Sequence, residues 1–123
     1  MAWVAKKIMV GFDGSDAARR ALDRAAELAG YGSTVTVVNV GSAEGGGRRL
    51  LAQARDHLAE QHVRAQVVER VGEPAETLID TATSEDADLL IVGRRNGGGE
   101  RFALGSVTDR VVQEAPCDVL IVR

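Results

Sequence analysis

The run Asp88-Leu89-Leu90-Ile91-Val92 starts on one acid and then stays apolar until Gly93. A short strand without polar alternation is one covered on both faces, as in a parallel sheet packed between helices. Such a strand belongs in the sheet centre. It leads into a glycine-rich loop, Gly93-Arg94-Arg95-Asn96-Gly97-Gly98-Gly99-Glu100-Arg101-Phe102-Ala103-Leu104-Gly105-Ser106. Ser106 to about Ala115 then reads as a helix, which Pro116 stops, and Asp118 to Val122 reads as a last strand.

Working back toward the start, the same alternation recurs. Ile8 to Phe12 is a short apolar run closed by Asp13-Gly14-Ser15, and Ser15 or Asp16 can cap the helix behind it. In that helix Ala18, Leu22, Ala25, Ala26 and Ala29 fall at helical spacing, and Gly30-Tyr31-Gly32 ends it. Thr34 to Val40 is a second strand, rich in β-branched residues. Gly41 to Gly47 is a loop, and Arg48 to His62 is a helix with Leu51, Ala54 and Leu58 on its inner face. Ala65 to Val71 is a third strand, placed nearer the sheet edge. Pro74 fits the first turn of a third helix, Ala75 to about Ser84, with Leu78 and Ile79 inward. Strand and helix alternate throughout, which specifies a single α/β domain over residues 1–123: a doubly wound, five-stranded parallel sheet with helices on both faces.

Composition agrees. The 123 residues are 45% hydrophobic but only 3% aromatic, so the core rests on Val, Ile, Leu and Ala. A net charge of −3 argues against a dedicated nucleic-acid partner. Arg94, Arg95 and Arg101 still form a local basic patch, either ligand-facing or solvated. The single cysteine, Cys117, excludes an internal disulfide or a cysteine zinc cluster and reads as a small buried apolar residue. No leader or membrane-length apolar stretch is evident, so the expected location is cytoplasmic with no membrane partner.

Ligands of open parallel sheets bind outside the strands' carboxyl ends, where strand order reverses. If the first and fourth strands are neighbours, Asp13 and the Gly93 loop face one crevice. Glycines let backbone N–H groups turn toward an anion, and Gly105-Ser106 opens a helix whose amino end favours phosphate. A second reading stands beside this one: Ser106 and Asp109 form a capping-box-like pair that satisfies the helix's own amides. Asp13 has its own plain alternative as a helix cap.

The chain resembles the universal stress protein family over essentially its whole length. The likeness is carried by Lys7-Ile8-Met9-Val10-Gly11-Phe12-Asp13-Gly14-Ser15, Gly72-Glu73-Pro74-Ala75 and Asp88 to Arg95. Gly105-Ser106-Val107-Thr108 and Ala115 to Val122 complete it. In the family's ATP-binding branch the loop runs Gly, two residues, Gly, nine residues, then Gly-Ser or Gly-Thr. This chain keeps Gly93 and Gly105-Ser106, has Asn96 at the second glycine position with Gly97 beside it, and has eight residues between Asn96 and Gly105.

The resemblance implies an adenine-nucleotide-hydrolase-like fold that binds ATP, or AMP or ADP, with Mg2+ carried on the phosphates. It implies that Asp13 lies beside the ribose and any phosphate-bound metal, and that the backbone of Val40 reads the adenine edge. Gly93, Asn96, Gly97, Gly105, Ser106 and Val107 would cradle ribose and phosphates. A homodimer through the last strand, Asp118 to Val122, is implied as well, and that strand would otherwise leave an open apolar edge.

Other nucleotide motifs are absent. There is no Walker loop, the first turn lacks the dinucleotide fingerprint, and no phosphorylatable Asp comes after the third strand. His57 and His62, placed on the second helix, fall on different faces and do not make a metal pair. No nucleophile, base and orienting acid assemble, so hydrolysis of ATP would at most be slow. The expected role is a stress-response regulator that binds an adenine nucleotide. The alternatives are a dimeric interaction module that binds none, and a slow ATP-hydrolysing enzyme.

Overall fold

In the computed structural model, which describes residues 5–41, 45–94 and 106–123, five strands and four helices alternate. They are β1 (Lys7–Gly11), α1 (Asp16–Leu28), β2 (Thr34–Gly41), α2 (Gly47–Glu60), β3 (Ala65–Val71), α3 (Pro74–Ser84), β4 (Leu89–Gly93), α4 (Ser106–Glu114) and β5 (Asp118–Val122). Every strand pairing is parallel, in the order β3-β2-β1-β4-β5. The α/β class and the neighbouring of first and fourth strands stand as expected. The middle place belongs to β1, however, with β4 beside it. Both carry unbroken buried runs, Ile8 to Val10 and Leu89 to Val92, so apolar continuity marks an interior strand without ranking it.

Alternate residues divide the core in two. Ile8, Val10, Leu89 and Ile91 face α1 and α2, meeting Leu22, Leu51 and Leu58. Met9, Val38, Leu90 and Val92 face α3 and α4, meeting Leu78, Ala82 and Val111. Small side chains let α1 sit very close to β4. A Cβ placed on Gly93 would stand 2.6 Å from the Ala17 carbonyl carbon and 2.7 Å from the Ala18 nitrogen. On the outer side of the same layer, Asp23 of α1 accepts from Gln61 at 2.9 Å and pairs with His57 Nε2 of α2 at 2.7 Å. Burial opposes ionisation of Asp23, but these two contacts outweigh it and hold the carboxyl below its ordinary range.

Element ends differ from expectation in instructive ways. Ser15, not Asp16, caps α1: its hydroxyl accepts from the Ala18 N–H at 3.1 Å. Asp88 lies outside β4 and uses one carboxylate oxygen to hold the Lys6 and Lys7 amides at the start of β1, at 3.0 and 2.9 Å. His62 is beyond the end of α2, in left-handed backbone at φ 64°. Cys117 is only half-buried, and that burial, with Asp118 and Asp88 nearby, pushes its thiol up from the ordinary value. Trp3 lies outside the described residues.

Glu73 caps α3, accepting from Ala75 N at 3.2 Å and Glu76 N at 2.7 Å, while Arg110 of α4 reaches it at 3.0 Å. The Glu76 amide is the main reason its carboxyl sits below the usual range, with Ala75 and Arg110 adding to it. A depressed carboxyl stabilises the fold above its ordinary pKa and loses that contribution as pH falls through the folded value. Thermal melting of Glu73→Gln should therefore fall below wild type at neutral pH. The two curves should converge below about pH 4; a gap that persists in acid would mean the charge is not what matters.

Candidate functional site

Where strand order reverses, between β1 and β4, the two strands end side by side, with Gly11 in register with Val92. The chain leaving β1 is held in place from β2. Phe12 N–H donates to the Val38 carbonyl at 2.9 Å, and the buried Asn39 amide donates to the Phe12 carbonyl at 2.8 Å. This fixes Asp13 at the rim, exposed, with Oδ1 accepting from the Ser15 N–H at 2.9 Å. One carboxylate oxygen is thus used in the turn. Asp13 is therefore not the helix cap. It braces the turn that brings Ser15 to that role.

A cleft of about 360 Å³ opens at this point. Gly11, Phe12, Val38 and Val92 form its floor, Val40 closes the β2 side, and Pro74 and Leu78 close the α3 side. Asp13, Gly93, Val107 and Thr108 complete the lining. Of the residues expected from sequence, Asp13, Val40, Gly93 and Val107 are brought together here. Ser106 begins α4, which sets the helix's amino end beside the cleft through Val107. Asn96, Gly97 and Gly105 lie outside the described residues, as do Arg95 and Arg101.

Besides the strand residues of the floor, three contributors from helices are not singled out by sequence reasoning. Pro74 and Leu78 line the wall opposite α4, although from sequence both have only helical roles. Thr108 is 3% exposed yet lines the cleft, and its place inside Gly-Ser-Val-Thr is the one signal available. Gly93 also has a different reason to be glycine than the one expected. The close approach of α1 already excludes a side chain there.

The chemistry on offer is recognition. Polar and apolar surface line the cleft in similar measure, with one carboxylate at its rim and a helix amino end beside it, which suits a ligand that is part apolar and part polar. Among the described residues no group of three or more His, Cys, Asp or Glu side chains can hold a metal ion. None of the described helices is long and apolar enough to cross a membrane.

Comparison with known proteins converges on one family. A sequence profile of the universal stress protein family matches residues 5–48 and 41–123. A universal stress protein from Thermus aquaticus is 36% identical, over 96% of this chain and 98% of its own. A universal stress protein crystallised in complex with cAMP superposes with a TM-score of 0.83, at 31% identity and 98% coverage of both chains. One from Archaeoglobus fulgidus in complex with dAMP gives 0.77, at 27% identity and full coverage of both. With the strand order, the reversal-point cleft and a profile match spanning both halves of the sheet in agreement, the chain belongs to the universal stress protein family.

Proposed function

We propose that this protein binds an adenine nucleotide in the β1–β4 cleft and acts as a stress-response regulator. The observation that carries this reading is the convergence of Asp13, Val40, Gly93 and Val107, from separate parts of the chain, on one cleft. Relatives of the same fold were crystallised with cAMP and with dAMP, which share an adenine, a sugar and a phosphate. The volume and a lining that mixes polar and apolar surface suit the base and sugar, and Asp13, at the rim, would take a sugar hydroxyl. The phosphates would extend toward the amino end of α4, where Ser106 and Val107 begin the helix, with Asn96, Gly97 and Gly105 in the preceding loop. AMP, ADP and ATP are the ligands this reading proposes, and Mg2+ would travel with the phosphates, reached by Asp13.

Nucleotide-stripped protein titrated with AMP, ADP and ATP, with and without magnesium, tests the reading by calorimetry. Saturable one-site binding is expected. No heat and no change in melting temperature at millimolar nucleotide would instead favour an interaction module that binds none. Turnover is expected to be absent or slow, because the sequence offers no nucleophile, base and orienting acid that assemble. The protein would act in the cytoplasm.

Dimerisation through β5 belongs to the same proposal. The β3 edge carries exposed Gln66, Glu69 and Arg70, which discourage pairing with another strand. The β5 edge carries Val119, Leu120 and Ile121, all incompletely covered. Light scattering at micromolar concentration should give a dimer, and a lysine at Leu120 should shift it toward monomer. A clean wild-type monomer would contradict this.

A further inference from the structure

The sheet has a second hollow at its other end. Ala65 opens β3 in register with Val35 near the start of β2, so the residues just before it lie opposite the β1–β4 cleft. There a hollow of about 380 Å³ is lined by Arg55, Asp56 and Ala59 of α2, together with the stretch from His62 to Ala65. Ala65 is buried and Val63 half-buried, while Arg55, Asp56, His62 and Arg64 are exposed. β3 and β5 are opposite edges of the sheet, so pairing through β5 leaves this hollow open.

Its charges are arranged unlike those elsewhere on the surface. Arg19, Arg24 and Arg110 are each held by a carboxylate of their own or a facing helix. Arg55 and Arg64 make no ion pair with any described residue. His62 joins them from a backbone position that glycine usually fills. The His62 N–H donates to the Ala59 carbonyl at 3.0 Å and the Val63 N–H to that of Leu58 at 2.9 Å, closing α2 with His62 left-handed at φ 64°. A side chain is uncommon there, and this one lines the hollow.

Two guanidinium groups and an imidazole on one hollow give an excess of donors, which suits the several oxygens of a phosphate. Asp56 opposes them with one charge, and the carboxyl end of α2 adds to that opposition. Neither arginine would therefore hold an anion alone. We infer that this hollow binds the phosphate group of a small anion, held jointly by Arg55, His62 and Arg64. The site is separate from the nucleotide cleft and stands whether or not that cleft is filled.

The test is an NMR titration of the full chain at constant ionic strength, with inorganic phosphate and then with glycerol 3-phosphate. Saturable shifts are expected at His62, Val63 and Arg64, on a curve independent of Gly11 and Val92 in the cleft. Equal affinity for both probes makes free phosphate the ligand, and tighter binding of the ester places the phosphate on a larger molecule. Arg55→Gln and Arg64→Gln should each weaken phosphate by about tenfold and melt like wild type, since both side chains are exposed. Asp56→Asn should tighten it by about two- to fivefold. Arginines that only offset the carboxyl end of α2 would behave otherwise, with both glutamine variants melting lower and phosphate moving nothing near His62. That result, shifts that never saturate, or unchanged affinity in both glutamine variants would each overturn the assignment.

Discussion

Gly93→Ala is expected to destabilise the fold by about 3 kcal/mol, at the upper end of what overpacking usually costs. Most overpacked sites relax by turning a side chain, but here the atoms in the way are mainly backbone. The new methyl would meet the Ala17 carbonyl carbon at 2.6 Å, the Ala18 nitrogen at 2.7 Å and the Ala17 Cβ at 2.9 Å. Relief requires moving the first turn of α1 away from β4. That turn is tethered at its start by Ser15 to Ala18 and braced by Asp13 to Ser15. A cost of that size lowers the melting temperature of a chain this long by roughly 10 °C. The measurement also separates two explanations of the glycine. If Gly93→Ala melts like wild type and loses only nucleotide affinity, the residue is glycine for the ligand's sake. If stability falls first, it is glycine because two elements meet there. The distances favour the second.

This position shows what the sequence could and could not convey. The element order was readable because each strand and helix announces itself locally. Ile8 to Val10 and Leu89 to Val92 are apolar without a break, Leu51, Ala54 and Leu58 recur at helical spacing, and Pro74 and Pro116 mark boundaries. Which strand takes the middle was not local information, since β1 and β4 look alike by composition and only pairing distinguishes them. The cleft was half legible. Asp13 and Gly93 stand directly after strands, where a doubly wound sheet puts its ligands. Thr108 and Leu78 line it from helical faces that sequence can only label as inward. Whether an inward face meets core or cavity depends on how far apart α3 and α4 sit. That separation is a tertiary quantity, and Arg110 of α4 reaches Glu73 at the head of α3 across it.

Asp13→Asn should leave the fold intact and weaken adenine-nucleotide binding by about 10- to 100-fold, the range expected for losing a hydrogen bond to a charged group. Asparagine is the informative choice because the carboxylate has two separable tasks. Oδ1 accepts from the Ser15 amide at 2.9 Å, and an asparagine carbonyl can do the same, so the turn and the start of α1 survive. What disappears is the negative charge at the rim of the cleft. If that charge holds a sugar hydroxyl, AMP and ATP both lose affinity, with or without magnesium. If its role is with the metal, the loss appears for ATP with magnesium and not for AMP alone. A third result, tighter binding of ATP without magnesium, would mean Asp13 repels the phosphates, and the tail would have to lie nearer to it than the amino end of α4 implies. Alanine at the same position removes both tasks together. Comparing the two variants by calorimetry and melting therefore assigns each loss to the turn or to the ligand.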